Sequence, residues 1–477
     1  MDLQDESLCY MTATELLSQF RSRALSPVEL ISSLIKRATS LDSKIGSFTA
    51  VFFDSALAAA KTAEDQFRRR DPSPRPLEGI PIAIKDLHPI AGENTSYGSR
   101  IFISQRDKST LPTVKRLLDA GAILFARTTT PEFGAAAVTH SSRWGITRNP
   151  WNLAFSPGGS SGGAGASVAA GLCTLADGSD YGGSIRIPAS CCGLFGYKPP
   201  YGRNPRVSPS NLDSYGAYGP ITRCVADGAL MQNVMSGHHE NDIASLRQKV
   251  VLPTSIDRPI PLRVALCVNL GYFEVDSEVE RNTRAATEVF KTWGCQISEV
   301  SLKWSRRTVE AYNIHASTAF AAAYAPYLAE QGHLMSDYGR ARIEEGLTHK
   351  AIDYLSANQV AGEMYDELAP VLERNDVLIC PTTAIPSVPA DFSPLTETVY
   401  INGRQIPARM WHMTNPFNIL SQLPAASIPS GFATDGIPTG IQIIGRSFDD
   451  ETVFRAALMY ESIRPWMSKP SERPQLS

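Results

Sequence analysis

The sequence is poor in cysteine, and its cysteines follow no metal-binding pattern. Only eight cysteines occur among 477 residues, at positions 9, 173, 191, 192, 224, 267, 295 and 380. No C-x-x-C spacing exists, and the density is far below that of a disulfide framework. We therefore expect reduced thiols that pack in the core, with the adjacent Cys191 and Cys192 among them.

The sequence also lacks an excess of charge of either sign. It has 45 Lys and Arg residues and 48 Asp and Glu residues, so the formal net charge is −3. Because phosphate binding requires a concentrated basic surface, nucleic acid is not expected as the main partner, and a small neutral ligand is the better prediction. The composition is 43% apolar and 19% charged, which excludes a mostly disordered chain.

Long apolar runs are missing as well. No uncharged apolar stretch approaches the ~20 residues that a membrane span requires. The first six residues, MDLQDE, are acidic, whereas a secretory signal begins with basic residues followed by an apolar segment. These absences predict a soluble, cytoplasmic protein without membrane contact.

The signals that are present alternate between helices and strands. Capping boxes at Thr12-x-x-Glu15 and Ser26-x-x-Glu29 predict two N-terminal helices. Further patterns predict strands at 80–84, 122–126, 263–268, 296–300 and 376–379, and helices before Gly121 and over 277–292 and 305–370. No linker or repeat interrupts this order. We expect a single large α/β domain over residues 1–477, with a mixed, mostly parallel β-sheet sandwiched by helices.

A segment rich in Ser, Gly and Ala, at 156–171, departs from this pattern. Apolar structure flanks it, so we expect a tightly packed core loop. The run GGSSG at 158–162 satisfies the G-x-S-x-G pattern of Ser-His-Asp esterases, for which His412 is the candidate base, but Ser156-Pro157 stands where that motif needs a strand. A noncatalytic nucleotide-binding protein is a further alternative, although no G-x-x-x-x-G-K-[ST] sequence occurs.

Three motifs taken together favour a different chemistry. They are GIPIAIKD at 79–86, SPGGSSGG at 156–163 and GSDYGGSIRIP at 178–188. In their order and spacing these motifs resemble the amidase signature family, and a weaker likeness extends over nearly the whole chain. The resemblance implies a signature core at about 75–230 and a variable segment at about 300–375 that shapes the substrate pocket.

The resemblance implies a Ser-Ser-Lys triad. Ser184 is then the nucleophile, Ser160 the bridging serine held by a cis peptide, and Lys85 the ultimate base. A serine hydroxyl attacks only if a base takes its proton, and a lysine is a base only when neutral. Burial at the end of an apolar strand lowers the pKa of a lysine, which makes this role physically sensible. No histidine, metal or organic cofactor is required.

The resemblance also implies an oxyanion hole in the turn that carries the nucleophile. We assign the backbone amides of Tyr181, Gly182, Gly183 and Ser184 to it, because glycines let the chain turn sharply and direct several N–H groups at one point. Tyr181 is expected to narrow the acyl site or to stack against it.

Three further residues are expected to support the site. Asp180 and Arg186 flank the nucleophile, and we expect either a supporting ion pair or a plain structural salt bridge. Ser161 has a hydroxyl beside the bridging serine and is given a positioning role. None of the three is predicted to be catalytic.

The substrate class is the least constrained part of the prediction. We expect hydrolysis of small neutral amides, anilides or carbamates, with side esterase activity, because the chain looks similar to nylon-oligomer (6-aminohexanoate cyclic dimer) hydrolases and broad amidases. The alternative is the glutaminase subunit of a tRNA-dependent amidotransferase, which needs a partner chain and an arginine-rich stretch that grips glutamine. Residues 338–343 match that stretch only loosely. By analogy with the family, a homodimer is also expected.

Aromatic residues in the second half of the chain have two interpretations. They either line an apolar pocket or, as is usual for aromatics at helical spacing, pack in the core. The residues concerned are Tyr312, Phe320, Tyr324, Tyr327 and Trp411.

Overall fold

The structure is a computed structural model that describes residues 3–69 and 74–476. An 11-stranded sheet runs through it. Its strands in chain order are β1 (Phe48–Val51), β2 (Pro81–Lys85), β3 (Ile123–Thr128), β4 (Leu175–Asp180), β5 (Phe195–Lys198), β6 (Ala217–Thr222), β7 (Arg263–Leu266), β8 (Gln296–Glu299), β9 (Val377–Pro381), β10 (Ala425–Phe432) and β11 (Pro438–Gly445). Two small antiparallel ladders lie outside this sheet, His140–Ser141 with Gly145–Ile146 and Val399–Ile401 with Arg404–Ile406.

The strand order is β1-β3-β2-β4-β6-β5-β10-β11-β9-β7-β8. Parallel pairing joins β2 to β3 and β4, and β7 to β8 and β9. The other pairs of the sheet are antiparallel. The predicted mixed sheet is confirmed, but the expected parallel majority is wrong. The antiparallel pairs come largely from β5, β6, β10 and β11, whose Gly- and Pro-interrupted runs carry no clear strand signal.

Helices flank the sheet. They are α1 (Leu3–Tyr10), α2 (Ala13–Ser22), α3 (Pro27–Ile45), α4 (Phe53–Arg68), α5 (Pro112–Asp119), α6 (Gly162–Ala169), α7 (Arg186–Cys192), α8 (Val225–Met235), α9 (Ser277–Glu288), α10 (Arg307–Tyr324), α11 (Leu328–Gln331), α12 (Asp337–Thr348), α13 (Ala351–Arg374), α14 (Pro416–Ile419) and α15 (Asp450–Ile463). Within the described ranges, none of them is both long and apolar enough to cross a bilayer.

The two predicted N-terminal helices begin at their capping boxes. The Thr12 side chain accepts from the Glu15 N–H while the Glu15 carboxylate accepts from the Thr12 N–H, and Ser26 and Glu29 form a second capping box. These reciprocal bonds satisfy donors that the first helical turn leaves unpaired. The short helix α1, which precedes them, was not predicted.

The Ser-, Gly- and Ala-rich segment is not all loop. Residues Gly162–Ala169 form the fully buried helix α6, so the expected core loop is corrected to a loop followed by a helix. Small side chains explain this placement, because a Cβ atom on Gly163 would lie 2.7 Å from the Ser47 carbonyl oxygen. The segment therefore packs as close to its neighbours as backbone atoms allow.

The sheet brings the three motifs together. Parallel pairing of β2 with β4 sets Ala83 opposite Ala176, so Lys85 at the end of β2 lies beside the carboxyl end of β4. The turn after β4 carries Ser184 and leads into α7, while Ser160 and Ser161 immediately precede α6. The packing of α6 against α7 completes this arrangement.

Candidate active site

Lys85 lies at the centre of a cluster of polar side chains at the carboxyl ends of β2 and β4. Its side chain is completely buried, and its amine Nζ lies 2.7 Å from Ser160 Oγ, 2.8 Å from Ser161 Oγ and 3.0 Å from Ser179 Oγ. Its backbone N–H donates to Asp177 Oδ1. The structure thus brings two of the three predicted triad residues, and the predicted positioning serine, into direct contact.

The surroundings of this amine favour its neutral form. Burial lowers the pKa of Lys85 from its ordinary value to about 7, and the carboxylates of Asp177 and Asp180 offset only part of that effect. Three serine hydroxyls surround the amine, and no carboxylate is bonded to it among the described residues. A substantial fraction of the lysine is therefore neutral near pH 7 and able to accept a proton.

Ser161 connects the lysine to the turn that carries Ser184, and Ser160 precedes it in the chain. The Gly159–Ser160 peptide bond is cis, as the family resemblance implies. The Ser161 N–H donates to the Ser184 carbonyl oxygen at 3.1 Å. Ser184 is half-buried and lines a cavity together with Gly159 and Gly182, so its hydroxyl is accessible to a ligand while Lys85 and Ser160 are shielded from solvent.

Asp180 organises the turn from inside. Its carboxylate accepts hydrogen bonds from the N–H groups of Gly183 (2.8 Å) and Ile185 (3.2 Å) and from the Arg186 guanidinium (2.9 and 3.0 Å). Burial opposes ionisation, but the charge and hydrogen bonds of Arg186 hold the pKa of Asp180 well below its usual range. The expected Asp180–Arg186 ion pair is present. The Gly183 amide hydrogen, one of the four predicted for the oxyanion hole, is directed to Asp180.

Arg186 extends this support to the far end of the chain. Its guanidinium donates to Asn418 Oδ1 and Gln442 Oε1, both at 2.6 Å, and to the Thr414 carbonyl oxygen. The Thr414 hydroxyl in turn donates to the Gly182 carbonyl oxygen at 2.6 Å. These three C-terminal residues were not predicted, since no local motif distinguishes them from ordinary core polar residues.

Ser179 is the residue at the amine that the sequence analysis missed. It lies within the third motif and on β4, the strand that pairs with β2. The available signal was its place near the carboxyl end of β4, the strand beside the one that ends at Lys85.

The cavity in front of Ser184 has mixed aromatic and cationic walls. Its lining includes Tyr312, Tyr338, Arg342, Arg409 and Trp411. Tyr312 and Trp411 therefore line the cavity, which was the first of the two interpretations of the aromatic residues. The remaining three, Phe320, Tyr324 and Tyr327, follow the core interpretation, because they pack in a separate apolar cluster with Phe133 and Met335.

His412 also lies in the cavity wall, but no described carboxylate is hydrogen-bonded to its imidazole. Its Nδ1 is 3.3 Å from Thr414 Oγ1, and no carboxylate is bonded to it in the part of the chain that the structure describes. Burial lowers the pKa of His412 to about 4. His412 therefore forms no Ser-His-Asp arrangement with the described carboxylates. Residues 3–69 and 74–476 also contain no group of three or more His, Cys, Asp or Glu side chains placed to hold a metal ion.

Arg342 is a buried cation with weak pairing. Its Nη1 lies 3.4 Å from Asn313 Oδ1 and 4.0 Å from Glu345, and its buried Nε has no partner among the described residues. Arg409, by contrast, contacts both Glu345 oxygens at 3.0 and 3.1 Å. The cavity wall therefore contains a guanidinium whose charge is only weakly paired, which suits an acceptor on a ligand.

The two cysteines singled out from the sequence are buried side by side in α7. Burial raises the pKa of Cys191 to about 12 and that of Cys192 well above its ordinary value. Both are therefore protonated, unreactive packing residues, as expected.

Comparisons with known proteins agree with this geometry. The family described as Amidase matches residues 29–454. The chain is 33% identical to an acylamidase of Rhodococcus erythropolis, with 98% of each chain covered. It is also 33% identical to a glutamyl-tRNA(Gln) amidotransferase subunit of Chloroflexus aggregans, with 98% of this chain and 99% of the relative covered.

Two solved structures show the same fold. A bacterial aryl acylamidase superposes with a TM-score of 0.89 at 29% identity, covering 96% of each chain. A 6-aminohexanoate cyclic dimer hydrolase in complex with substrate superposes with a TM-score of 0.82 at 26% identity, covering 98% of this chain and 99% of the other.

Proposed function

The chain belongs to the amidase signature family, and from this membership and the geometry of the cluster we propose that Ser184, Ser160 and Lys85 hydrolyse a C–N bond through an acyl-enzyme. The observation that carries the proposal is the 2.7 Å contact between the buried Lys85 amine and the Ser160 hydroxyl. It places a group with a pKa of about 7 where it can take a proton by way of a serine.

The first step is acylation of Ser184. Its oxygen attacks the substrate carbonyl carbon, its proton passes to Ser160, and the Ser160 proton passes to the neutral Lys85 amine. The resulting ammonium returns a proton through Ser160 to the leaving nitrogen, so the C–N bond breaks with release of a neutral amine. Water then attacks the acyl-enzyme by the same relay, which releases the acid and restores the serine.

The oxyanion that forms on the carbonyl oxygen needs donors in the turn. We assign this role to the Tyr181, Gly182 and Ser184 amides, and we leave out the Gly183 amide because it donates to Asp180. One such donor typically contributes ~3 kcal/mol to lowering the barrier of acyl transfer. The Asp180–Arg186 pair supports the turn because the Asp180 carboxylate, held by Arg186, accepts the Gly183 and Ile185 N–H groups.

We assign small neutral amides, anilides or carbamates as substrates, with side hydrolysis of esters. The aromatic cavity walls at Tyr312, Tyr338 and Trp411 support an aryl or apolar acyl or amine group. The likeness to the aryl acylamidase and the cyclic-dimer hydrolase supports the same class. Activated esters form the same acyl-enzyme more easily because their leaving groups are better.

A panel of aryl amides, carbamates and esters tests this function on the purified chain. Ser184→Ala and Lys85→Ala should each lower kcat/KM for a nitroanilide at least a thousandfold, and a fluorophosphonate should label Ser184. His412→Ala should retain turnover, since His412 lies only in the wall. Full activity of Lys85→Ala together with loss of activity in His412→Ala would favour the Ser-His-Asp alternative instead.

A second candidate function is supported by Arg342. Its weakly paired guanidinium lies in the cavity and suits a substrate carboxylate, such as that of glutamine, and the chain is similar to the glutamyl-tRNA(Gln) amidotransferase relative. Ammonia release from glutamine, measured with and without a partner protein, separates the two functions. An Arg342→Met variant that loses glutamine hydrolysis but keeps nitroanilide hydrolysis would support the glutaminase.

A further inference from the structure

The Tyr181 side chain is tied to a carboxylate from a distant loop. Tyr181 follows β4 directly and begins the turn that carries Ser184. Its phenol donates to Asp213 Oδ2 at 2.5 Å, and Asp213 lies in the connection between β5 and β6. Burial and the neighbouring Asp213 charge raise the pKa of Tyr181, so the phenol keeps its proton for this bond.

Asp213 is itself held on its other side. Its Oδ1 contacts His315 Nε2 of α10 at 2.9 Å and accepts the Tyr215 N–H at 3.2 Å. The His315 and Tyr215 rings stack with centroids 3.6 Å apart and planes within 7°. Although burial opposes ionisation, the bonds from His315 and Tyr181 hold the pKa of Asp213 below its ordinary value. The carboxylate is therefore a fixed anion between α10 and the turn.

Other contacts hold the later residues of the turn. Thr414 fixes the Gly182 carbonyl oxygen at 2.6 Å, and Asp180 fixes the Gly183 amide at 2.8 Å. The Tyr181–Asp213 bond is the corresponding anchor at the first residue of the turn. The Thr414 and Asp180 contacts hold the single Gly182–Gly183 peptide unit, one at its carbonyl oxygen and one at its amide. The Tyr181–Asp213 bond acts one residue earlier, so its loss frees the residue that contributes the Tyr181 amide.

We infer that Asp213 is a positioning residue for the oxyanion hole and acts through the Tyr181 phenol. The inference rests on the proposed function, because it assigns a support to that hole. Asp213 touches no reacting atom. Its loss should weaken stabilisation of the transition state more than binding of the ground state, so kcat should fall while KM changes little.

Asp213→Asn, Tyr181→Phe and the double variant test this inference with a nitroanilide. We expect each single variant to lower kcat about tenfold, with KM within about twofold, and the double variant to match the single ones because both remove one chain of contacts. Affinity for an aryl boronic acid, whose adduct with Ser184 places an oxygen in the hole, should fall by the same factor.

A matched control exists in a different apolar cluster from that of Tyr181. Tyr197 is also a buried tyrosine whose phenol donates to a carboxylate, Asp450 Oδ1, at 2.8 Å. Tyr197→Phe should lower Tm about as much as Tyr181→Phe but leave kcat and boronic acid affinity unchanged. If Asp213→Asn fails to fold, Tyr181→Phe, which removes only one hydroxyl, carries the test.

The outcomes separate this inference from the proposed function. Wild-type kcat in folded Tyr181→Phe and Asp213→Asn, with Ser184→Ala inactive, overturns the inference and leaves the proposed function intact. A rise in KM at constant kcat also overturns it, since Asp213 would then shape substrate binding. Wild-type turnover by Ser184→Ala refutes the proposed function itself.

Discussion

At the scale of single residues, the proposed role of the Lys85 amine predicts how the rate of hydrolysis depends on pH. Burial lowers its pKa to about 7, and only the neutral amine accepts a proton. We predict that kcat/KM for an uncharged anilide rises about tenfold per pH unit below about pH 7 and is level above it. The measurement is a profile of kcat/KM from about pH 5 to about pH 9.

This pH profile distinguishes the lysine from the histidine in the same cavity. Burial lowers the pKa of His412 to about 4, so its titration cannot change the rate of hydrolysis near pH 7. His412→Gln should therefore leave the midpoint in place. A rate that does not change between about pH 6 and about pH 8 would contradict the role of Lys85.

The third hydroxyl at the amine gives a second prediction at this scale. Ser179 Oγ lies 3.0 Å from Lys85 Nζ but is outside the proposed relay. Ser179→Ala should remove one hydrogen bond that orients the amine and lower kcat about tenfold, with KM nearly constant. Ser160→Ala, which breaks the relay itself, should cost at least a hundredfold more, and equal losses in the two variants would argue against Ser160 as the bridge.

Short sequence motifs identify site residues only where the residues that act together belong to those motifs. Lys85, Ser160 and Ser161 were identified from short motifs, and the structure places them in contact. Asp213 was not singled out, because its segment has no distinguishing pattern, and Arg342 was noted only as part of the loosely matching stretch 338–343. Their roles depend on side chains that only the tertiary fold brings near them.

At the scale of elements, helix α6 depends on the absence of side chains. A Cβ atom at Gly163 would lie 2.7 Å from the Ser47 carbonyl oxygen, which accepts the Thr129 N–H at 2.9 Å. Gly163→Ala should therefore lower the free energy of unfolding by about 2 kcal/mol, since overpacking outweighs the higher helix propensity of alanine. Urea denaturation measures this difference.

Gly362 supplies the matched control. It lies inside helix α13, and a Cβ atom there would meet nothing within 4 Å. Gly362→Ala should raise the free energy of unfolding by up to ~1 kcal/mol through propensity alone. If Gly163→Ala raised the free energy of unfolding as much as Gly362→Ala does, the atoms around Gly163 would have to make room for a methyl group without loss of stability, which would contradict the prediction.

Element predictions succeeded where periodicity or capping was strong. Both capping boxes and the parallel β2–β3 pair were predicted, because side-chain hydrogen bonds and uninterrupted apolar runs are local signals. Helix α6 and the hairpin of β10 and β11 were not, because Gly and Pro within them are read as loop or turn residues. Burial, rather than propensity, decides their conformation.

At the scale of the whole molecule, the buried Lys85 amine is expected to lower stability. The folded-state pKa of Lys85 is about 7, whereas an unfolded chain has the ordinary value of ~10.4. Between these values the unfolded state binds more protons, so this group's contribution to stability rises with pH. We predict that Lys85→Met is more stable than the native chain at pH 7.

The advantage of the variant should shrink by about 1.4 kcal/mol per pH unit as the pH rises from about 7 toward about 10. Comparing the two chains by urea denaturation isolates Lys85, because the other titrating groups, including the buried Lys198, are common to both. A constant difference across this range would mean that the amine is not desolvated in the folded state.

The hydrogen bonds of Arg186 also bear on how the enzyme is made. The guanidinium reaches Thr414, Asn418 and Gln442, which follow it by 228 to 256 positions. A ribosome therefore synthesises the turn that carries Ser184 long before the groups that brace it. A chain that ends before Thr414 contains all three motifs and lacks this bracing, so we expect hydrolysis only after the last strand of the sheet has docked.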